Sequence, residues 1–341
     1  MKAAVIEHPG RLIVREVPDP EIGDYDALCV LLYGATCSGT DQHLIGGHFP
    51  WPVPYPTILG HESIGRVIRV GPRVRNLTIG DLVTRVGALA SPGVNINWGG
   101  FAEYGVARDH WACCADGRPE AEWKGFRVNQ ILPPEIDPRV ATMFTTWRET
   151  LSYLIRMGVG ADARVLVIGS GGVGLSFVAQ AANLGARVVL SGSLGRKVQG
   201  RAAGAECCYH YRDPELVSRL RAATPEGYDF IVDAVGKEGQ MDAVLPLLKA
   251  GGTAGIYGID DYGQCTVDPL RSRGTFTFYN GGYDEAETHG QVTELWRQGR
   301  LRADIWLELE HAFELDDIGQ AIDAIKARTM VKSLVRLKAA S

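Results

Sequence analysis

Apolar and polar positions alternate in blocks through the second half of the chain. Val165–Ile168 is a run of four apolar residues, three of them β-branched, which predicts a short buried strand. Glycines at 169, 171 and 174 follow. Leu175–Leu184, rich in Ala and Leu and free of Gly and Pro, reads as a helix, with Gly185 where a helix end favours a left-handed residue. Arg187–Leu190 is a second strand. Asp229–Val235 and Thr253–Tyr257 read as further strands, with a helix over Gln240–Leu248 and a turn at Lys249–Gly252 between them. Thr275–Tyr279 reads as the last strand. Strand and helix in this alternation imply an α/β fold with a doubly wound parallel sheet.

Residues 1–110 have a different texture. Ala3–Ile6, Leu12–Val17, Ala27–Tyr33, Ser63–Val70 and Leu82–Val86 are short strand candidates punctuated by Pro and Gly. Gly99–Gly105 reads as another strand, entered through a glycine bend. Pro138–Met157 reads as helical, with Pro138 suited to a helix start. Glu314–Ile325 reads as an amphipathic helix. Met330–Leu337 is expected as a closing strand that rejoins the β-rich part.

The turn after Val165–Ile168 carries the first candidate chemistry. Gly169, Gly171 and Gly174 have G-x-G-x-x-G spacing, with Gly172 and Val173 between the last two. In a strand–turn–helix setting the first glycine allows the tight turn and the second lets a pyrophosphate approach the backbone. The third lets the helix pack on the strand, and the helix N-terminus offers N–H groups to the phosphates. The second strand then runs into Ser191-Gly-Ser-Leu-Gly-Arg-Lys197, and no Asp or Glu occurs from Leu175 to Ala205. A carboxylate there would hold the ribose hydroxyls of NAD and repel a 2′-phosphate. Gly192 leaves room, Ser193 donates a hydrogen bond, and Arg196 and Lys197 bring positive charge. NADP(H) is therefore expected over NAD(H).

Composition narrows the class. With 341 residues, 45% apolar and 22% charged, the chain fits an ordinary globular protein of about two domains. A net charge of −5 gives no general attraction to nucleic acid or anionic membrane. The first residues are too charged for a signal peptide, and no apolar run approaches a membrane span. Seven cysteines, with adjacent pairs at Cys113-Cys114 and Cys207-Cys208, do not make a secreted disulfide framework. A reduced, cytoplasmic protein is expected.

The second chemical cluster lies in the β-rich part. Cys37-Ser-Gly-Thr-Asp-Gln-His43 sets a thiol, a hydroxyl, a carboxylate and an imidazole within seven residues, and Leu59-Gly-His-Glu-Ser63 adds His61 and Glu62. One thiolate, one imidazole and spare carboxylates on loops between strands suit a zinc ion with an open position. Such an ion polarises an alcohol or carbonyl oxygen as a Lewis acid.

These residues carry a resemblance. Met1-Lys-Ala-Ala4, Gly39-Thr-Asp-Gln-His43, Tyr55-Pro-Thr-Ile-Leu-Gly-His-Glu62, Gly99-Gly-Phe-Ala-Glu-Tyr104 and the Gly169–Gly174 turn stand in one order and spacing. By them the chain resembles the zinc-dependent medium-chain alcohol and polyol dehydrogenases over nearly its full length. The resemblance implies a GroES-like catalytic domain over 1–148, completed by 286–341, a Rossmann domain over 149–285, and a substrate cleft between them. It implies Cys37 and His61 as zinc ligands and Glu62 as a carboxylate that enters or leaves the metal's shell. Thr40 and His43 become the proton relay, and Asp41 a support for a ligand. It also implies that Arg271–Tyr279 is an edge strand that pairs with its twin, giving a homodimer or homotetramer.

The chain departs from the family in places. Ser38 intervenes between Cys37 and Gly-Thr-Asp, so the thiol would need a one-residue bulge to reach the metal. The third protein ligand should lie in Met143-Phe-Thr-Thr-Trp-Arg-Glu149. The aligned position falls near Thr145, and Glu149, one helical turn on, is the candidate ligand. The four-cysteine lobe of some relatives would fall near 88–115, where only Cys113 and Cys114 occur. Adjacent thiols do not make a tetrahedral four-thiolate site, so no structural zinc is expected.

The reading is a reversible alcohol–carbonyl oxidoreductase acting on a small molecule such as a polyol, sugar or secondary alcohol. Trp51, Trp98, Phe101 and Trp147 are candidate cleft residues. Two alternatives fit the same residues less well: a zinc-free quinone or enoyl reductase of the same superfamily, and a non-enzymatic NADP-binding protein.

Overall fold

Val165–Ile168 lies in the strand Arg164–Ile168, which is central to a six-stranded parallel sheet. The order is Cys207–His210, Arg187–Gly192, Arg164–Ile168, Tyr228–Asp233, Leu248–Ile256, Thr277–Tyr279. In sequence order this is 3-2-1-4-5-6, the doubly wound arrangement in which ligands bind at the carboxyl ends where strand order reverses. Val165, Leu166 and Val167 are wholly buried, as covering on both faces requires.

This computed structural model describes residues 1–338 and divides the chain into two units. The parallel sheet belongs to Thr146–Asp284 with Leu295–Leu301; the other unit is Met1–Thr145, Glu285–Glu294 and Arg302–Ser341. Of the segment 286–341 expected to complete the first domain, residues 339–341 lie outside the described ones.

The β-rich unit holds two sheets. In the larger, Asp26–Ala35 is flanked by Glu62–Val70 and by Leu334–Arg336, both antiparallel to it, and Tyr104–Arg108 also pairs with it. The smaller runs Arg11–Glu16, Lys2–His8, Thr57–Ile58, Asn95–Ile96. Ala3, Ile6, Leu31, Ile58 and Phe101 form a buried core with Val335, and the helix Ile318–Lys326 adds Ile318, Ala321, Ile322 and Ile325.

Several expected elements have moved bounds. The helix expected over Pro138–Met157 is two, Pro138–Ala141 and Phe144–Met157. Thr142 Oγ1 donates to the Arg139 carbonyl at 2.8 Å between them, a bond that competes with the helical ladder. The helix after the glycine turn begins at Gly172 instead of Leu175. Lys249–Gly252, expected as a turn, lies inside the strand Leu248–Ile256. Gly99–Glu103 makes only a single antiparallel bridge, Ala102 to Ala3, and the strand starts at Tyr104. The closing strand is only Leu334–Arg336, which leaves Met330–Ser333 free to turn a side chain inward.

Candidate functional site

Strand register assembles the first site. Ala35 pairs with Glu62 on one side and with Leu334 on the other. Continuing the second register by two residues brings Lys332 opposite Cys37. Thr36 Oγ1 fixes that register by accepting from the Ser333 N–H at 2.8 Å. The chain then turns at Gly39 into the helix Thr40–Gly46. Asp41 Oδ2 accepts from the Cys37 N–H at 2.8 Å, and Cys37 Sγ lies 3.7 Å from Thr40 Oγ1. Ser38 therefore does not keep the thiol out of the cluster. Just before the facing strand Gly60 adopts φ +96°, and a Cβ there would sit 2.6 Å from the Phe101 ring. Only glycine suits that approach ahead of His61.

The ligand atoms of Cys37, His61 and Glu62, all buried, lie within 4.8 Å of one another. Bond lengths of about 2.0 Å to nitrogen or oxygen and 2.3 Å to sulfur, at tetrahedral angles, separate zinc ligands by roughly 3.5 Å. Small side-chain adjustments would close the cluster on an ion. His61 Nε2 faces Glu62 Oε1 at 3.8 Å, and Nδ1 faces Asp41 Oδ1 at 3.7 Å. Asp41 Oδ1 and His61 Nδ1 are buried with no hydrogen-bond partner, so a modest closing of that gap would pair them and orient the ring.

Electrostatics point the same way. Burial pushes the Cys37 thiol up to about 11 and the Asp41 carboxyl up to about 7. Burial, then the nearby charges of Arg85 and Lys332, holds the His61 imidazolium well below its ordinary value. A neutral imidazole is the form that ligates a metal, and a bound dication favours the thiolate. The donor set thus fits zinc.

Lys332 was not visible as a site residue in the sequence. Its side chain is buried, and Nζ donates to Glu62 Oε1 at 2.6 Å, to Oε2, and to the Thr36 carbonyl at 3.2 Å. Nothing in Met330-Val-Lys-Ser333 marks it, because its partner is 270 residues away.

The other expected residues fall as follows. Thr40 and His43 are half-buried on one helix beside the cluster residues Cys37 and Asp41. Glu149 is in the second unit, where its two oxygens accept from the Tyr257 and Tyr283 hydroxyls at 3.1 Å each. Among the described residues it is not part of the metal-donor cluster. Thr145 is buried, with an unpartnered hydroxyl. Cys113 is buried and Cys114 exposed on the helix His110–Ala115.

In the second unit the glycine turn has the expected constraints. Gly169 has φ +104°, and a Cβ on Gly174 would lie 1.9 Å from the Gly169 carbonyl oxygen. Gly171 sits at the N-cap position of the helix Gly172–Asn183, so the first N–H groups of that helix point out of the turn. At the end of Arg187–Gly192, a Cβ on Gly192 would lie 2.5 Å from Ser170 Cβ and Oγ. Ser170 Oγ accepts from the Ser193 N–H at 2.9 Å. Arg196 is half-buried and Lys197 exposed, and desolvation pulls the Arg196 guanidinium below its ordinary value.

A buried thiol–imidazole–carboxylate cluster in one unit and a glycine-rich strand–turn–helix in the other fit an oxidoreductase acting on CH–OH donors. Residues 26–116 match the family described as alcohol dehydrogenase GroES-like domain, and residues 172–283 match zinc-binding dehydrogenase. The chain belongs to the zinc-dependent medium-chain dehydrogenase family. It is 28% identical to a probable zinc-binding alcohol dehydrogenase of Mycobacterium tuberculosis, over 79% of this chain and 71% of that one. It is 26% identical to L-galactonate-5-dehydrogenase of Escherichia coli over 98% of both. An alcohol dehydrogenase from Thermus sp. ATN1 shares the fold at a TM-score of 0.81 and 24% identity, covering 99% of this chain and all of that one.

Proposed function

We propose that this protein is an NADP(H)-dependent zinc dehydrogenase that interconverts a secondary alcohol, of the polyol or sugar type, and its carbonyl. The observation that carries the reading is the buried Cys37–His61–Glu62 cluster. These three residues would hold one zinc, with Asp41 orienting His61. Glu149, bonded to Tyr257 and Tyr283, is left out of this set. Zinc and a nicotinamide cofactor, when bound, would supply a Lewis acid that lowers the alcohol's pKa and an acceptor for its hydride.

The chain's own residues do the rest. Thr40 would accept the hydroxyl proton of the alcohol and His43 would pass it to solvent, a task suited to imidazole near neutral pH. The Gly169–Gly174 turn holds the pyrophosphate. Gly192, Ser193, Arg196 and Lys197 receive the 2′-phosphate. The uncharged edge strand Thr277–Tyr279 supports pairing of two copies into a dimer or a tetramer of dimers. The odd number of cysteines and their adjacent pairs support a reduced, cytoplasmic setting. No helix among the described residues is long and apolar enough to cross a membrane.

The test is metal analysis of the purified protein beside His61→Ala. About one zinc per chain is expected in the parent. The variant should lose zinc and alcohol turnover but bind NADP(H) unchanged. A metal-free parent that is fully active would overturn the reading.

A further inference from the structure

Burial separates the four aromatic residues that the sequence offered as cleft lining. Phe101 and Trp147 are wholly buried, and the Phe101 ring fills the space beside Gly34 and Gly60. They are packing residues. Trp51 and Trp98 remain 54% and 41% exposed. The Trp98 ring lies 5.2 Å from the imidazole of His61. Phe49 meets Trp98 edge-on at 6.1 Å and Trp51 at 5.2 Å. An open aromatic wall therefore begins at a candidate metal ligand.

The backbone beneath this wall is strained. Four non-glycine residues among those described have positive φ, and two of them touch: Arg85 at +52° and Trp98 at +66°. The Arg85 guanidinium stands 5.8 Å from the Trp98 ring. A Cβ at residue 87 would lie 1.7 Å from the Trp98 carbonyl oxygen, so Gly87 is needed for this loop to close. A left-handed tryptophan is unfavourable and persists only where its surroundings enforce it, most often at sites. Arg85 supplies part of the enforcement. It is ion-paired with Glu285, both side chains being nearly buried. Its N–H donates to the Ser63 carbonyl at 2.8 Å, and its own carbonyl accepts from Asn129 at 3.0 Å. Arg85 is thus committed to the loop and to Glu285, and its 8% exposure leaves little of it to meet a ligand.

We propose that Trp98 determines substrate specificity, its indole face receiving the C–H face of the carbon chain attached to the carbinol carbon. Arg85 is a positioning residue that holds the indole. The face of an indole is electron-rich, and C–H bonds on hydroxyl-bearing carbons are polarised positive, so the two attract. The favoured substrate has several contiguous carbons beyond the reacting one. A polyhydroxylated chain suits the wall better than an alicyclic ring, and a short alcohol cannot reach along it. This rests on the zinc dehydrogenase reading above.

The test is steady-state kinetics of the zinc-loaded enzyme with a panel of four- to six-carbon polyols, cyclohexanol and propan-2-ol. Trp98→Ala should lower kcat/KM for the best polyol about tenfold, mainly through KM, the scale of one lost aromatic contact with its buried area. Cyclohexanol should lose less, and propan-2-ol should change less than about twofold. Trp98→Phe should restore part of the loss. Arg85→Lys keeps the charge beside Glu285 but lacks the planar guanidinium, and should raise KM for the polyol alone. Zinc content and melting temperature should match the parent in all three variants. An equal loss on every alcohol, a lowered zinc content, or no change with the polyol overturns the inference while leaving the metal reading intact. A parent that turns over none of the panel overturns it too, and metal analysis then tells whether the zinc reading fails with it.

Discussion

Lys332 and Glu62 form a buried ion pair in which one ammonium serves both carboxylate oxygens, each side chain being only 1% exposed. Removing one partner of such a pair leaves an uncompensated buried charge, at a cost of about 3–5 kcal/mol. Lys332→Met should therefore destabilise the metal-free protein by about that amount in denaturant unfolding. Lys332→Met combined with Glu62→Gln should recover much of it, because neither charge is then stranded. Additive losses in the double variant would show that the pair is not coupled.

The proton relay gives a kinetic signature. His43→Ala should slow alcohol oxidation near pH 7 far more than above pH 9, where hydroxide and buffer take the proton directly. The check is the pH–rate profile of kcat/KM for parent and variant. Parallel profiles would remove His43 from the relay.

The 2′-phosphate site is testable by exchange of cofactors. Arg196→Ala should weaken NADP binding by roughly tenfold or more, the scale of a charge-assisted hydrogen bond, and change NAD little. Gly192→Asp would add a ribose acceptor, but its Cβ would meet Ser170 at 2.5 Å. The single variant should therefore lose both cofactors, whereas Gly192→Asp with Ser170→Gly should favour NAD. Kinetics with both cofactors decide it: a parent that prefers NAD, with Arg196→Ala silent, makes the basic turn a solvated loop.

His110 supplies a pH dependence that needs no metal. It is 5% exposed, its ring lies 3.8 Å from that of Trp111 at a tilt of 32°, and burial pulls its imidazolium from 6.5 down to about 4. The folded state thus favours the neutral ring. Its contribution is fully present above about pH 6.5 and is lost as pH falls through about 4. The difference in unfolding free energy between parent and His110→Phe should change by up to about 3 kcal/mol across that window. A constant difference from pH 7 to pH 4 would contradict this.

Local pattern determined the elements of this protein. Val165–Ile168, the glycine spacing and the strand–helix alternation depend on neighbours a few residues apart, so the parallel sheet and its glycine turn were legible in the sequence. The roles of Cys37, His61 and Glu62 could be suspected because their residue types are those that ligate metals. Tertiary structure decided what depends on register and enclosure. Two antiparallel pairings of Asp26–Ala35 bring Cys37, Glu62 and Lys332 together from three distant segments, and no one-dimensional pattern encodes such a meeting. Phe101 and Trp98 look alike as aromatic residues near a glycine bend. Packing against Gly34 and Gly60 buries the first, whereas a left-handed backbone beside Arg85 carries the second, which stays exposed next to His61. Glu149 stood at a plausible spacing for a ligand, yet the hydroxyls of Tyr257 and Tyr283, over a hundred residues away, hold its carboxylate. Charge and burial act through space, so the partners of a buried ionisable group are set by the fold and not by its place in the chain.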